Sequence, residues 1–194
     1  MCQFKSGIAV KISEDDVKIF TLKGEDSHTE IRKEYNIRDG VGAGSTRQTP
    51  VELIPVRGLL KKEDYKFVFD AYRPDWWTDN MTVSATNQLF SAVLAEIVNN
   101  TIKYEGSLDL RSLTTLPKGI TIEVGENINL DSLEVLPEGA ILKAGEDIYI
   151  NSLTSMSKGA TIKVGRYIDL NSLTTLPKGV TIKSRNTFLK NKII

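Results

Sequence analysis

Cys2 and His28 are the only cysteine and the only histidine of the 194-residue chain, so thiolate or imidazole chemistry has one residue each to draw on. A cysteine exposed by removal of Met1 has its own α-amine available as a base, the arrangement of an N-terminal-cysteine hydrolase or transferase. His28 follows "DS", a helix-start pair, and so falls at the first helical position, where the helix dipole favours the neutral ring and suits an anion. If the start of the first strand met the start of that helix, Cys2, His28 and Asp26 would share one pocket. The competing reading is structural. Cys2 shares strand parity with Phe4, Ile8 and Val10, which makes it a covered thiol with nothing nearby to ionise it. On that reading no catalytic residue is assigned, and replacing Cys2 with serine leaves function intact.

Other side chains suggest binding instead of bond-breaking. Trp76 and Trp77 in "RPDWW" could stack a base or ring, with Arg73 beside them and Arg47 as a second cation. That combination would suit a small nucleotide; the alternative is a tryptophan pair that anchors a turn or makes an interface hot spot. Tyr149 and Asp169, with Asp147 and Tyr167 beside them, form a candidate recognition strip in the second half. "GVGAGSTR" looks like a phosphate loop, but it follows a helical stretch and precedes a strand, so it reads as a connector. One cysteine and one histidine exclude a zinc site built from those ligands within one chain. No metal and no cofactor are expected.

Composition narrows the partners. The chain holds 25 basic and 25 acidic residues, and neither half has the basic excess of a nucleic-acid binder. No apolar run reaches the about 18 residues a membrane span needs, and the N-terminus lacks the basic-then-apolar pattern of a secretory signal. These features predict a cytoplasmic protein with no membrane partner.

The elements that must position these residues fall into two regions, 1–100 and 101–194. In the first, "FKSGIAVKI" and "VKIFTL" flank "SEDD" as a hairpin, with Phe4, Ile8, Val10 and Ile12 on one face. "DSHTEIRKEYNI" reads as a helix, with Ser27 and Glu30 as a capping box. "VELIPV" and "YKFVFDAY" read as strands. An amphipathic helix is predicted from about Thr82 to Asn99, its stripe made of Leu89, Phe90, Val93, Leu94, Ile97 and Val98. It is expected to run straight into the second region and cover its open end.

The second region repeats every 20 residues without a slip. "SLTTLPKG" occurs at 112–119 and again at 172–179, three repeats on. Apolar columns descend from Ile102, Leu108, Leu110, Leu113 and Leu116, and Gly119, Gly139, Gly159 and Gly179 mark a common corner. Each repeat reads as two short strands with an LPxG-type turn, proline stopping the extended run and glycine supplying positive φ. Stacked coils bury the columns as a strip and advance about 4.8 Å each. Ser112, Ser132, Ser152 and Ser172 predict a hydroxyl ladder on the turns. The last coil carries Lys183, Arg185, Lys190 and Lys192 with no acid, and reads as a cap or a weak anion site.

The predicted fold is therefore an α+β N-terminal domain followed by a β-solenoid. The "LxSLxxLPxG" spacing resembles short bacterial leucine-rich repeats, although Arg111 breaks the column of Asp131, Asn151 and Asn171. Residues 1–95 also resemble an uncharacterised family of bacteriophages and prophages: "MCQFKSGI", then "DSH" at 26–28, then "RPDWW" at 73–77, occur in that order. The family has no established activity. The resemblance implies a phage context, and with the scarcity of acid–base residues it predicts a non-enzymatic binding protein engaging a host protein, a phage accessory or counter-defence factor. The N-terminal-cysteine enzyme and the small-nucleotide binder are the alternatives.

Overall fold

The computed structural model describes residues 4–38 and 47–188. The chain divides into two compact units, Met1–Ile54 with Lys66–Ala95, and Pro55–Tyr65 with Glu96–Ile194. Residues 55–65, expected in the first region, thus belong to the second unit.

In the first unit, strands β1 (Lys5–Lys11), β2 (Val17–Phe20), β3 (Gln48–Pro55) and β4 (Tyr65–Phe69) form a sheet in the order β2-β1-β3-β4. The hairpin is the one the sequence predicts, with Ile8 opposite Phe20 and Val10 opposite Lys18. Its central strand β1 is buried on both faces from Lys5 to Ala9, because helices lie on both sides. Helix α1 (His28–Glu34) starts where expected, and the Ser27 hydroxyl accepts the Glu30 N–H at 3.4 Å. Arg32 of α1 donates to Gln48 on one face of β3. Helix α2 (Asp79–Glu96) lies on the other, where Leu89 comes so near Gly7 that a Cβ there would sit 3.1 Å from its methyl. Gln88 of α2 clips the edge strand β2, accepting the Ile19 N–H at 3.0 Å and donating to the Val17 carbonyl at 2.8 Å. An edge whose backbone is occupied in this way cannot recruit another strand.

Three expectations are corrected here. Ile12 is 60% exposed, since β1 ends before it. The buried stripe of α2 is Met81, Ala85, Leu89 and Val93, while Leu94 and Val98 are exposed. The helix stops at Glu96 and does not run on: Asn99 and Asn100 take positive φ (50° and 57°), and Val98 and Thr101 exchange backbone bonds across them. Paired asparagines tolerate the left-handed conformations such a tight reversal needs.

The second unit is a β-solenoid of about four turns over residues 101–183. Its first parallel sheet is β5 (Thr101–Tyr104), β7 (Thr121–Val124), β10 (Ile141–Ala144), β13 (Thr161–Val164) and β15 (Thr181–Lys183). A second joins β6 (Leu108–Asp109), β8 (Ile128–Asn129), β11 (Asp147–Tyr149), β14 (Tyr167–Asp169) and β16 (Asn186–Phe188), and a third pairs β9 (Val135–Leu136) with β12 (Ser155–Met156). Ile102, Ile122, Leu142 and Ile162 stack in register, and the other predicted columns are buried with them. Burial fails only at the far end, where Leu176 is 42% exposed. The turn carbonyls of Pro117, Pro137 and Ser157 accept the N–H three residues on, with positive φ at Gly119, Gly139 and Gly159.

The serine hydroxyl ladder is not formed. Its place is taken by side chains three residues earlier. Asp109, Asn129 and Asp169 each accept, through Oδ1, the N–H two residues on, which closes the corner as an Asx turn. A carboxylate or amide reaches that N–H with better geometry than a serine placed beyond it. One inter-coil side-chain rung does form next to the serines, Asn151 Nδ2 to Asp131 Oδ1 at 2.8 Å.

Candidate functional sites

The strip expected on the solenoid is assembled. Asp147 stands opposite Tyr167, with Ile148 and Ile168 between the outward residues and fully buried. Tyrosine and aspartate therefore alternate across β11 and β14. The Tyr149 hydroxyl donates to Asp147 Oδ2 at 3.3 Å and the Tyr167 hydroxyl to Asp169 Oδ2 at 3.4 Å. Arg166 grips Asp147 with two N–H groups, Nε at 2.9 Å, and the Tyr167 N–H adds a third bond at 3.1 Å. Those bonds, Arg166 first, hold the Asp147 carboxyl below its ordinary range, although Asp147 itself is buried. Partial burial and the neighbouring carboxylates push both phenols up. The outcome is two tyrosines with fixed hydroxyls, Tyr149 being 38% exposed.

The first unit holds the other site. His28 opens α1, Glu52 lies in β3 and Asp70 follows β4, and their ligand atoms lie within 4.8 Å of one another. His28 Nδ1 is 3.5 Å from Asp70 Oδ2, and Nε2 is 3.3 Å from the Val51 carbonyl. Register places Ser6 opposite Glu52 on the same face of the sheet. Ser6 is fully buried, and its hydroxyl has no hydrogen-bond partner among the described residues. Asp26 joins from the loop before α1. Glu25 Oε1 accepts the Asp26 and Ser27 N–H groups at 2.9 Å, and Asp26 Oδ2 is buried without a hydrogen-bond partner among the described residues. Burial first, then the Glu25 charge, pushes the Asp26 carboxyl up to about 6. Lys5, also buried, donates to the Leu22 carbonyl. Phe4, just before it, is buried with a φ of 61°, a left-handed conformation unusual for a bulky residue.

Asp26 and His28, singled out by type and spacing, thus fall in one neighbourhood; Cys2 lies outside the described residues. Glu52 and Asp70 were missed. The available signal was a charged residue inside "VELIPV", between two inward-pointing apolar neighbours. The aromatic candidates have structural partners. Trp77 is buried, packs edge-on against Phe69 at 4.9 Å, and donates Nε1–H to Thr82 at 2.8 Å. Arg73 binds the Trp77 carbonyl and Asp79. Trp76 is half-buried and tilted against Trp77, and the pair anchors its turn. Arg47 is exposed, and its carbonyl accepts from Lys11. The glycine-rich connector at 39–46 is outside the described residues. On the last coils, Lys143, Lys163, Lys183 and Arg185 line a shallow basic depression.

No described helix is long and apolar enough to cross a membrane. Comparison with protein-family models, with curated proteins and with solved structures returned no match.

Proposed function

We propose that this chain is a non-enzymatic binding protein, a phage accessory or counter-defence factor that engages a host protein through the Tyr149–Tyr167 strip. One observation carries the reading: both phenols are immobilised on a parallel sheet, by Asp147 and Asp169, with Arg166 locking Asp147. Tyrosines held in one rotamer lose little conformational entropy on docking, and they are favoured as interface anchors for that reason. The leucine-rich-like repeat is the rigid frame of this reading. The resemblance of residues 1–95 to a phage and prophage family supplies the setting, and a cytoplasmic partner in the host cell follows from it.

The test compares tagged wild type with a Tyr149→Ser/Tyr167→Ser double variant in host lysate, followed by titration of the purified captured protein. The expected result is one protein retained stoichiometrically by wild type, with affinity reduced about 30-fold or more in the variant, the range of a hot-spot loss above 2 kcal/mol. Equal affinity for both forms overturns the assignment.

A further inference from the structure

We propose that His28, Glu52 and Asp70 form a binding site for a single divalent transition-metal ion, zinc or manganese. The inference goes beyond the binding role above and is independent of it, since it uses only residues of the first unit.

The argument begins with the histidine tautomer. The Val51 carbonyl can only accept, so its 3.3 Å approach puts a proton on His28 Nε2. A neutral ring then turns the Nδ1 lone pair toward Asp70 Oδ2, 3.5 Å away, with a Glu52 oxygen in the same cluster. Three electron-rich atoms thus stand within 4.8 Å of one another, and a cation placed among them would be held by all three.

Three features favour the cation. The first is spacing. Zinc bonds of about 2.1 Å in a tetrahedral shell set neighbouring ligand atoms about 3.4 Å apart, and the His28–Asp70 distance is 3.5 Å. The second is the outer bond: a metal-bound imidazole commonly donates its other N–H to a backbone carbonyl, which fixes the ring, and Val51 supplies that carbonyl. The third is Ser6. Its hydroxyl is fully buried, lacks a hydrogen-bond partner among the described residues, and leaves the sheet on the face of Glu52. A His28–Asp70 ion pair does nothing for that hydroxyl. A water bound to the metal would donate a hydrogen bond to that hydroxyl's oxygen.

The donor set names the metal class. One imidazole with two carboxylates suits zinc or manganese; magnesium and calcium prefer oxygen alone. Three protein ligands leave at least one coordination position open, and the Asp70 side chain, 50% exposed, marks the side on which the ion would enter.

The experiment is calorimetric titration of chelator-stripped, full-length protein at pH 7.5 with zinc chloride and, separately, manganese chloride. One ion per chain at micromolar affinity or tighter is expected for at least one metal, with a rise in melting temperature. Asp70→Asn changes an exposed residue and should keep the fold; it should weaken binding at least about tenfold. His28→Asn should do the same, with retained circular dichroism as the control for folding. Two results overturn the proposal. One is no binding of either ion below 1 mM, which leaves His28 and Asp70 as a simple ion pair. The other is binding unchanged by both variants, which places the ion elsewhere.

Discussion

Gly145 occupies a position where a side chain has nowhere to go: a Cβ there would lie 2.0 Å from the Gly125 carbonyl oxygen of the preceding coil. Gly125 and Gly165 are in the same situation, at 1.9 and 1.8 Å. The first coil carries Glu105 at this position, where no earlier coil presents a carbonyl. The last coil omits the position, and Tyr167 accordingly pairs with Asn186, a step of 19 instead of 20. Gly145→Ala should therefore cost about 3 kcal/mol or more, at the upper end of overpacking because the obstacle is backbone. Glu105→Gly should leave stability nearly unchanged, and urea melts of the two variants check the pair. Asp147 gives a residue-scale prediction in pH. Arg166 holds its folded pKa below the unfolded value of about 3.9. The stabilisation is complete above that value and is lost as pH falls through the depressed one. Melting temperatures recorded from pH 7 to pH 2 should fall less steeply in Asp147→Asn below about pH 4, from a lower starting point.

Among the elements, the first parallel sheet shows how charge is arranged along a stack. Glu123 lies between Lys103 and Lys143, at 3.6 and 3.3 Å, in register on neighbouring strands. From Lys143 onward the column is lysine opposite lysine, through Lys163 to Lys183. Like charges directly opposite destabilise a ladder. Lys163→Glu restores alternation and should add a few tenths to about 1 kcal/mol. The gain should shrink in 1 M salt, since these groups are exposed; an increment independent of salt would contradict the electrostatic account. On the inner side, Leu133 is fully buried with Leu113 and Leu153 in the same column. Leu133→Asp places an unpaired charge there at a cost of several kcal/mol, and should abolish the cooperative melt of the solenoid.

At the scale of the whole chain, residues 55–65 matter more than their position in the sequence suggests. The Arg57 carbonyl accepts from the Thr115 N–H at 2.9 Å and from its hydroxyl at 2.7 Å. The Thr114 hydroxyl reaches the same carbonyl at 3.4 Å, and in later coils the equivalent hydroxyls, Thr154 and Thr174, bond to the coil before them at 3.1 and 2.9 Å. Residues 55–65 thus stand in for a preceding coil. The segment is folded on itself, with Tyr65 donating to the Leu59 carbonyl at 2.9 Å, Arg57 paired with Asp64 at 3.1 Å, and Leu59 buried. A fragment of residues 101–194 lacks this cover, and so does one of residues 79–194 that keeps α2. Both should aggregate, and to a similar extent by light scattering. Recovery of a monodisperse fold by the longer fragment alone would show that α2 suffices.

The solenoid was legible because its information is local and repeated. Each column is written every 20 residues, so pairing partners, buried faces and turn glycines follow from the period. The hairpin and the start of α1 were legible for a related reason, since alternation and the Ser27 cap act over a few residues. Three things required the tertiary structure. Gly125, Gly145 and Gly165 are dictated by carbonyls 20 residues earlier in the chain. The cover of the first coil comes from residues 55–65, with Arg57 lying 58 positions from Thr115, and nothing local to either segment records the bond. The grouping of His28, Glu52 and Asp70 depends on a helix start, a strand centre and a strand end that meet only once β1, β3 and β4 have paired. Sequence periodicity records which face of an element is buried; which polar residues of different elements then meet is decided by the packing of those faces.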